Sequence, residues 1–575
     1  MKISIATTAG FCMGVRRAVE LVLDSPNRHP RPIFTHGPLI HNPQVLALLE
    51  EKGISILNDI PDSGTGTVLI RAHGVPPGTK EKLEAAGFAV VDATCPRVIK
   101  VQSIIVKHAR QGYASIIIGD REHPEVQGLL GYAGEMGVVV DTLKALEELP
   151  EFDRAIIVAQ TTQNTTLFEA IKAWASSNRP HYRAFDTICD STIKRQDEVS
   201  RLADIVDAVI VVGGKDSGNT QRLTEIARQA GKPAFHVESE SELDSDMVGT
   251  AEKIGITAGA STPNWIIRRV YSKIEALEVK GALGWRRLLY SVQRNLLLKN
   301  IYVSLGAGCL GYACTKLQGI PYDLSHSLVA VLYVQSMHIL NHLTGSNADQ
   351  FNDPDRAAFY SRYKIPLALL AIVSGGAGLM AASGLGMVPF VILLIMSLMG
   401  LSYNLRLVPE RFGLLRYRRI KDIPGSKTVL IAVAWGVVTV ILPSFSLQGD
   451  IGITTMIVFV WSTAMVFVRT AFFDILDMQG DRIVGKETIP ILVGEERTLA
   501  LLKTILLTVL VLLVVSSLLH LIPYLALGLA ICPILMAGVL IAHERGRMHA
   551  SIRLEFAVDT HFLIAGALTF LWYLV

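Results

Sequence analysis

Charge is in short supply along this chain. Only 18% of its 575 residues are Asp, Glu, Lys or Arg, and a mean hydropathy of +0.40 is high for a soluble protein. The net charge is +3, and the basic residues form no aromatic-interleaved stripe, which argues against nucleic acid as a partner. Cysteine is rare as well. The six present lack the short paired spacings of zinc ribbons, and a large, cored cytosolic domain has little use for disulfides. No secretory leader opens the chain, because Met1–Ala9 reads as a short strand, so the first half is expected to stay in the cytoplasm.

The shortage of charge is uneven. Up to about residue 280, mixed charges, glycine turns and short apolar runs alternate, whereas from about residue 300 apolar stretches of membrane-spanning length follow one another. The chain is too long for one core. The expectation is a soluble α/β domain over residues 1–280, a basic juxtamembrane linker over 281–300 and an all-α polytopic membrane domain over 301–575.

In the first half, Ala114–Ile118, Ala155–Val158, Ala208–Val212 and Lys253–Thr257 read as buried parallel strands, each leading through polar or glycine residues into a helical stretch. Repeated strand–loop–helix units gather ligands at the carboxyl ends of their strands. There the loops Arg71-Ala72-His73-Gly74, Glu122-His123-Pro124-Glu125, Gln160-Thr161-Thr162, Gly213–Asn219 and Ala258–Ser261 offer imidazoles, hydroxyls, an amide and glycine-rich backbone. Such groups suit an anionic, phosphorylated substrate. Cys12, Cys95 and Cys189 stand in Gly-Phe-Cys-Met-Gly-Val, Asp-Ala-Thr-Cys-Pro and Asp-Thr-Ile-Cys-Asp-Ser-Thr. Three thiolates suit an iron–sulfur cluster with one open iron, and hence redox chemistry on a small molecule. An isolated cysteine is more often a buried apolar filler, the reading that stands for Cys309, Cys314 and Cys532.

Over nearly all of residues 1–280 the sequence resembles the LytB-type 4-hydroxy-3-methylbut-2-enyl diphosphate reductases, which close the non-mevalonate isoprenoid pathway. The matching stretches are Gly10–Val15, Ile40-His41-Asn42, Ala72-His73-Gly74, Asp92–Pro96, His123–Gly128, Gln160-Thr161-Thr162, Asp186–Asp190, Ser217–Asn219 and Thr257–Ser261. The resemblance implies α/β lobes around a [4Fe–4S] cluster held by Cys12, Cys95 and Cys189, with the substrate hydroxyl at the fourth iron. It implies Glu125 and Thr161 as the groups that handle the proton. His41, His73, His123, Ser217, Asn219 and Ser261 would hold the diphosphate, with Gly218 where some members carry a second serine. Isopentenyl and dimethylallyl diphosphate would be the products. No flavin or nicotinamide fingerprint is present, so ferredoxin or flavodoxin is the expected electron donor.

In the second half about nine spans are expected, near 301–319, 324–342, 364–383, 385–405, 427–446, 451–473, 499–521, 522–542 and 556–575. Lys and Arg gather in alternate connections: Arg286 to Lys299 before the first span, Arg356 to Lys364 after the second, Arg406 to Lys427 after the fourth, Arg482 to Arg497 after the sixth and Arg545 to Arg553 after the eighth. This pattern assigns those loops and the N-terminal domain to the cytoplasmic face of an inner membrane. Residues 284–299 read either as an interfacial helix or as a plain connector. Asp474, Asp477 and Asp481, at i, i+3 and i+7, share one helical face, where Mg²⁺ bridging to a diphosphate relieves their repulsion. An isolated acidic triplet is more often a solvated helix end, but a membrane boundary favours function.

This half resembles the UbiA superfamily of intramembrane prenyltransferases, with nine helices and two aspartate-rich motifs. The second motif is complete as Asp474, Asp477 and Asp481. The first keeps Asn341 and Asp349, with His342 and Gly345 at positions that are usually acidic, while Asp353 and Asp355 lie nearby and Asp353 is one turn from Asp349 if the segment is helical. The stretch with Tyr403, Asn404, Arg406, Lys421 and Lys427 is similar to the family's basic diphosphate-facing loop. The resemblance implies Mg²⁺ held by Asp474, Asp477, Asp481, Asn341 and Asp349, a prenyl diphosphate held by Arg406, Lys421 and Lys427, and transfer of its prenyl group to an aromatic or lipid acceptor in the bilayer. The alternative is a reductase on a non-catalytic UbiA-like anchor, and a transporter using the intramembrane acids is the more distant one.

Overall fold

The computed structural model describes residues 2–574 except 245, 246, 248, 250, 282, 283, 403–422, 424, 448, 450, 547, 549 and 550. The chain divides into two units, Met1–Glu278 and Val279–Val575.

The first unit contains three four-stranded sheets, all parallel, most of their strand-to-strand connections carrying a helix. One sheet comprises β1 (Lys2–Ile5), β10 (Ala208–Val212), β11 (Ala234–Val237) and β12 (Lys253–Ala258), in the order β1-β12-β10-β11. The second has β2 (Ile33–His36), β3 (Ile54–Leu57), β4 (Thr67–Ile70) and β5 (Ala89–Asp92), ordered β3-β2-β4-β5. The third has β6 (Ala114–Ile118), β7 (Gly137–Val140), β8 (Ala155–Ala159) and β9 (Arg183–Ala184), ordered β7-β6-β8-β9. The runs at β6, β8 and β10 are buried along their whole length, as strands covered on both faces by helices must be. The register Lys2↔Lys253 through Ile5↔Ile256 places the start of the chain beside β12, so β1 and β12 deliver their carboxyl ends to the same place.

The second unit is helical. Helices occupy each of the expected span positions: Ile301–Leu317, Leu324–Thr344, Lys364–Gly384, Met387–Ser402, Ser426–Leu447, Ile453–Leu476, Glu495–Leu518, Leu525–Glu544 and Ile552–Trp572. Among the described residues, six are long and apolar enough to cross a membrane, from Lys364–Gly384 and Ser426–Leu447 onward; Met387–Ser402 is a shorter apolar helix. Its 16 residues span only about 24 Å, against a hydrocarbon core of about 30 Å. Leu324–Thr344 has the length but carries Gln335, His338, Asn341 and His342. Residues Gly284–Leu298 form a helix that exposes Trp285, Leu288, Leu289 and Val292. The chain then bends by 73° into Ile301–Leu317. Asn300 makes the bend with φ +57°, a left-handed conformation that asparagine tolerates, and its Nδ2 donates to the Tyr360 hydroxyl at 2.7 Å.

Close packing needs small residues here. A Cβ on Gly566 would lie 2.6 Å from the Cβ of Cys309, so the first and last helices approach through this pair. Two expectations about helical faces are corrected. Ile453–Leu476 ends before Asp477, which leaves helical geometry at φ −94°, ψ 0°, and a new short helix, Met478–Ile483, carries Asp481. The three aspartates therefore do not share one uninterrupted helix. Likewise Ser346–Asn352 stops at Asp353, whose side chain turns to cap the next helix at Arg356 N (3.0 Å), so Asp349 and Asp353 are not stacked.

Candidate functional site

Each sheet of the first unit contributes a cysteine just beyond a strand end, and each cysteine is the N-cap of a helix. Cys12 precedes Met13–Arg28, Cys95 precedes Pro96–Ala109 and Cys189 precedes Asp190–Ile205. Helix N-termini favour the thiolate; Val15 N donates to Cys12 Sγ at 3.5 Å. Burial pushes the Cys95 thiol up, and the backbone N–H groups of Arg97 and Val98 pull it down. A bound cation would favour the thiolate further. Glycine at position 14 makes the meeting possible, since a Cβ there would stand 2.5 Å from Cys95 Sγ.

The three thiols line a cavity of about 90 Å³ together with His41, His73, His123, Glu125, Thr161, Ser217, Asn219 and Ser261. Every residue singled out in the first half thus reaches one space. The three imidazoles stand 4.9 to 5.6 Å apart by ring centroids. Among the described residues, theirs is the sole His, Cys or acid group of three with ligand atoms within 4.8 Å of one another. Burial, then the neighbouring imidazole and Arg charges, pulls His73 far below its usual value and His123 down to about 4; burial and Arg71 lower His41. The rings are neutral at pH 7 without a ligand. Among the described residues, His41 Nε2 and His73 Nδ1 are buried without a hydrogen-bond partner, as suits groups shaped to receive a polar ligand.

Glu125 lines the same cavity and is buried. Its Oε1 accepts from Thr161 N at 2.7 Å and its Oε2 from Thr161 Oγ1 at 2.8 Å. Burial raises the carboxyl above its ordinary value despite those bonds, a setting that suits an acid able to deliver a proton.

Two buried arginines that carry no motif signal support this site. Arg222 makes a forked contact to Asp120 (2.8 and 2.7 Å) and donates to Thr162 O at 3.1 Å, fixing the Gln160–Thr162 loop. Arg195 donates to Gly10 O and Ala258 O. Only the meeting of distant loops reveals either role.

In the second unit, buried Asp474 accepts from Thr428 Oγ1, and Asp481 accepts from Asn352 Nδ2 at 3.0 Å and Lys486 Nζ at 3.2 Å. Lys427 interacts electrostatically with Asp474, Asp481, Asp349 and Asp477. It also lines a mostly apolar cavity of about 130 Å³ whose walls include Tyr333, His338, Asn341, Met396 and Trp435. Asp349 is held differently. Burial would raise its carboxyl, but the His342 hydrogen bond at 2.8 Å and the charges of His342, Lys427 and Arg356 outweigh that and hold it low. Arg356 is itself bound to Glu555 at 2.6 Å. Arg406 and Lys421 lie outside the described residues. The bidentate Arg469–Asp559 pair (2.7 and 3.2 Å), buried between two spans, was invisible in the sequence because its partners are 90 residues apart.

Fold and site together define a two-part protein: an α/β unit with cysteines, imidazoles and a buried acid around one cavity, joined to a membrane-spanning helical unit. Residues 3–275 match the family model "LytB protein", and residues 304–572 match that of the "UbiA prenyltransferase family". The 4-hydroxy-3-methylbut-2-enyl diphosphate reductase of Geobacter sulfurreducens is 40% identical over 280 residues, 49% of this chain and 99% of that protein. That of Oleidesulfovibrio alaskensis is 43% identical over 281 residues, 48% of this chain and 100% of that protein. A solved UbiA homolog from Archaeoglobus fulgidus, bound to GPP and Mg²⁺, covers 48% of this chain and 99% of its own at 17% identity, with a TM-score of 0.35. The chain belongs to the LytB reductase family through its first half and carries a UbiA prenyltransferase domain in its second.

Proposed function

We propose that the soluble half, residues 1–280, reduces 4-hydroxy-3-methylbut-2-enyl diphosphate to isopentenyl and dimethylallyl diphosphate, taking up two electrons and two protons and releasing the hydroxyl as water. The carrying observation is that three cysteines from three sheets and a buried, proton-retaining Glu125 line the same cavity. The donor set fits a [4Fe–4S] cluster: three free thiols at helix N-termini, with room kept by Gly14. When bound, the cluster supplies electrons one at a time and a Lewis-acidic iron. Glu125 gives its proton to the departing hydroxyl, and Thr161, hydrogen-bonded to both carboxylate oxygens, orients it. Ser217, Asn219 and Ser261 hold the diphosphate by hydrogen bonds, and His41, His73 and His123 take up charge against it. Ferredoxin or flavodoxin delivers the electrons on the cytoplasmic side.

The second half, residues 301–575 after the linker 281–300, acts in this reading as a Mg²⁺-dependent prenyltransferase with nine membrane helices. Its support is Lys427, one side chain that borders the apolar cavity and faces the acidic cluster. The carboxylates of Asp474, Asp477 and Asp481 fit a hard, oxygen-preferring cation. The opposite side does not: Asp349 is taken by His342, Gly345 has no donor, and Asn341 lines the cavity. When bound, Mg²⁺ would neutralise the diphosphate, and Lys427, with Arg406 and Lys421, would hold it for capture of the prenyl group by an aromatic or lipid acceptor.

The test uses membranes containing the full chain, labelled prenyl diphosphates from C5 upward, Mg²⁺ and lipid extract. Label should enter lipid with the native chain and not with Asp474→Ala. Absence of transfer from any donor, in protein that still reduces its soluble substrate, overturns the transferase reading. For the reductase, anaerobically purified protein with a full cluster that fails to convert the substrate overturns the assignment.

A further inference from the structure

Arg195 is 4% exposed and sits on the helix Asp190–Ile205 that Cys189 caps. Its two hydrogen bonds go to neutral carbonyls, Nη1 to Ala258 O at 3.1 Å and Nη2 to Gly10 O at 2.6 Å, and its Nε is buried without a partner among the described residues. Gly10 stands two residues before Cys12. Ala258 ends β12 two residues before Ala260, whose carbonyl accepts from Cys12 N at 3.1 Å. The guanidinium therefore ties the loop bearing Cys12 and the end of β12 to the helix bearing Cys189.

A buried cation needs a counter-charge. The carboxylate one turn away, Glu198, is already engaged by four donors: Thr7 N at 2.7 Å, Thr7 Oγ1 at 2.7 Å, Thr8 N at 2.9 Å and Thr8 Oγ1 at 2.5 Å. The other ionisable groups in its electrostatic reach are Cys12 and Cys189, whose sulfurs become thiolates when they ligate a metal.

The geometry points to Arg195 as the fixed counter-charge of the thiolate site: a positioning residue that holds two of the three cysteines and stabilises the more negative, reduced state of whatever they bind. This rests on the iron–sulfur reading above. A cation in a low-dielectric setting favours the state with the extra electron, so it raises the reduction potential. Glu198 partly offsets that charge.

The experiment is an EPR-monitored redox titration of full-length holoprotein, with iron counted per chain, for the native chain, Arg195→Lys, Arg195→Gln and Glu198→Gln. Arg195→Gln should shift the potential downward and lose iron faster to a chelator, while Arg195→Lys restores much of both. Glu198→Gln, which leaves Arg195 less screened, should shift the potential upward. Native potential and native iron retention in Arg195→Gln overturn the inference. If that variant does not fold, an unshifted potential in Glu198→Gln overturns it instead. Native protein that holds no cluster after anaerobic reconstitution refutes the iron–sulfur reading itself, a different outcome from unchanged variants of a loaded protein.

Discussion

Gly14→Ala places a single methyl group against the thiolate site. The added carbon would stand 2.5 Å from Cys95 Sγ and 3.1 Å from Cys95 Cβ, whereas carbon atoms rest at about 3.5–4.0 Å and sulfur is larger. Relief requires the Cys95 thiol, or the first turn of Met13–Arg28, to move by about 1 Å. Overpacking of this size costs about 1–3 kcal/mol, and a displacement of about 1 Å at reacting groups lowers turnover by about 10²-fold. The assay is iron and sulfide content per chain, substrate reduction by the anaerobically reconstituted protein and its melting temperature. Gly128→Ala is the control, because a Cβ there meets nothing nearer than the Val75 carbonyl carbon at 3.7 Å. The expected result is reduced cluster content and turnover for Gly14→Ala alone. Full iron content with native turnover in Gly14→Ala would refute the claim that this glycine makes room for Cys95.

Glu125→Gln should keep the cluster and lower turnover by about 10²–10⁴-fold, read as single-turnover product formation. Because burial raises this carboxyl, its contribution to stability is present at low pH and lost as pH rises from the ordinary carboxylate value through the folded value, so the glutamine variant should show a flatter melting profile across that window. The three imidazoles are neutral without ligand, and a bound diphosphate raises their affinity for protons. Calorimetry in buffers of different ionisation enthalpy should therefore show proton uptake on binding and tighter binding as pH falls; no uptake would mean the rings stay neutral against the anion. In the membrane half, Asp474→Asn should abolish Mg²⁺-dependent transfer while reduction continues. Asp349→Asn should leave the Mg²⁺ dependence unchanged, since His342 already occupies that carboxylate; a loss equal to that of Asp474→Asn would show a second cation there.

Much of this protein was legible before any coordinates. Apolar runs bounded by glycine and polar residues locate β6, β8, β10 and β12, because strands covered on both faces must be apolar throughout. The cysteine, histidine and Gln160-Thr161-Thr162 motifs lie at strand ends, where main-chain direction alone brings side chains toward a ligand. The apolar segments of the second half are visible for a similar reason, since the hydrocarbon core requires length and low charge.

What the sequence determined by itself was therefore local: residue type, periodicity and the order of motifs along the chain. Tertiary structure decided which distant groups meet. Arg195 beside the carbonyls of Gly10 and Ala258, Arg222 on Asp120, Arg469 on Asp559 and His342 on Asp349 are pairings of side chains whose partners no local pattern specifies. The breaks at Asp477 and Asp353 belong here too: the first segment reads as one continuous helix and the second leaves its helicity open until packing and capping turn the chain. A buried charge must find a partner, but the fold decides which one.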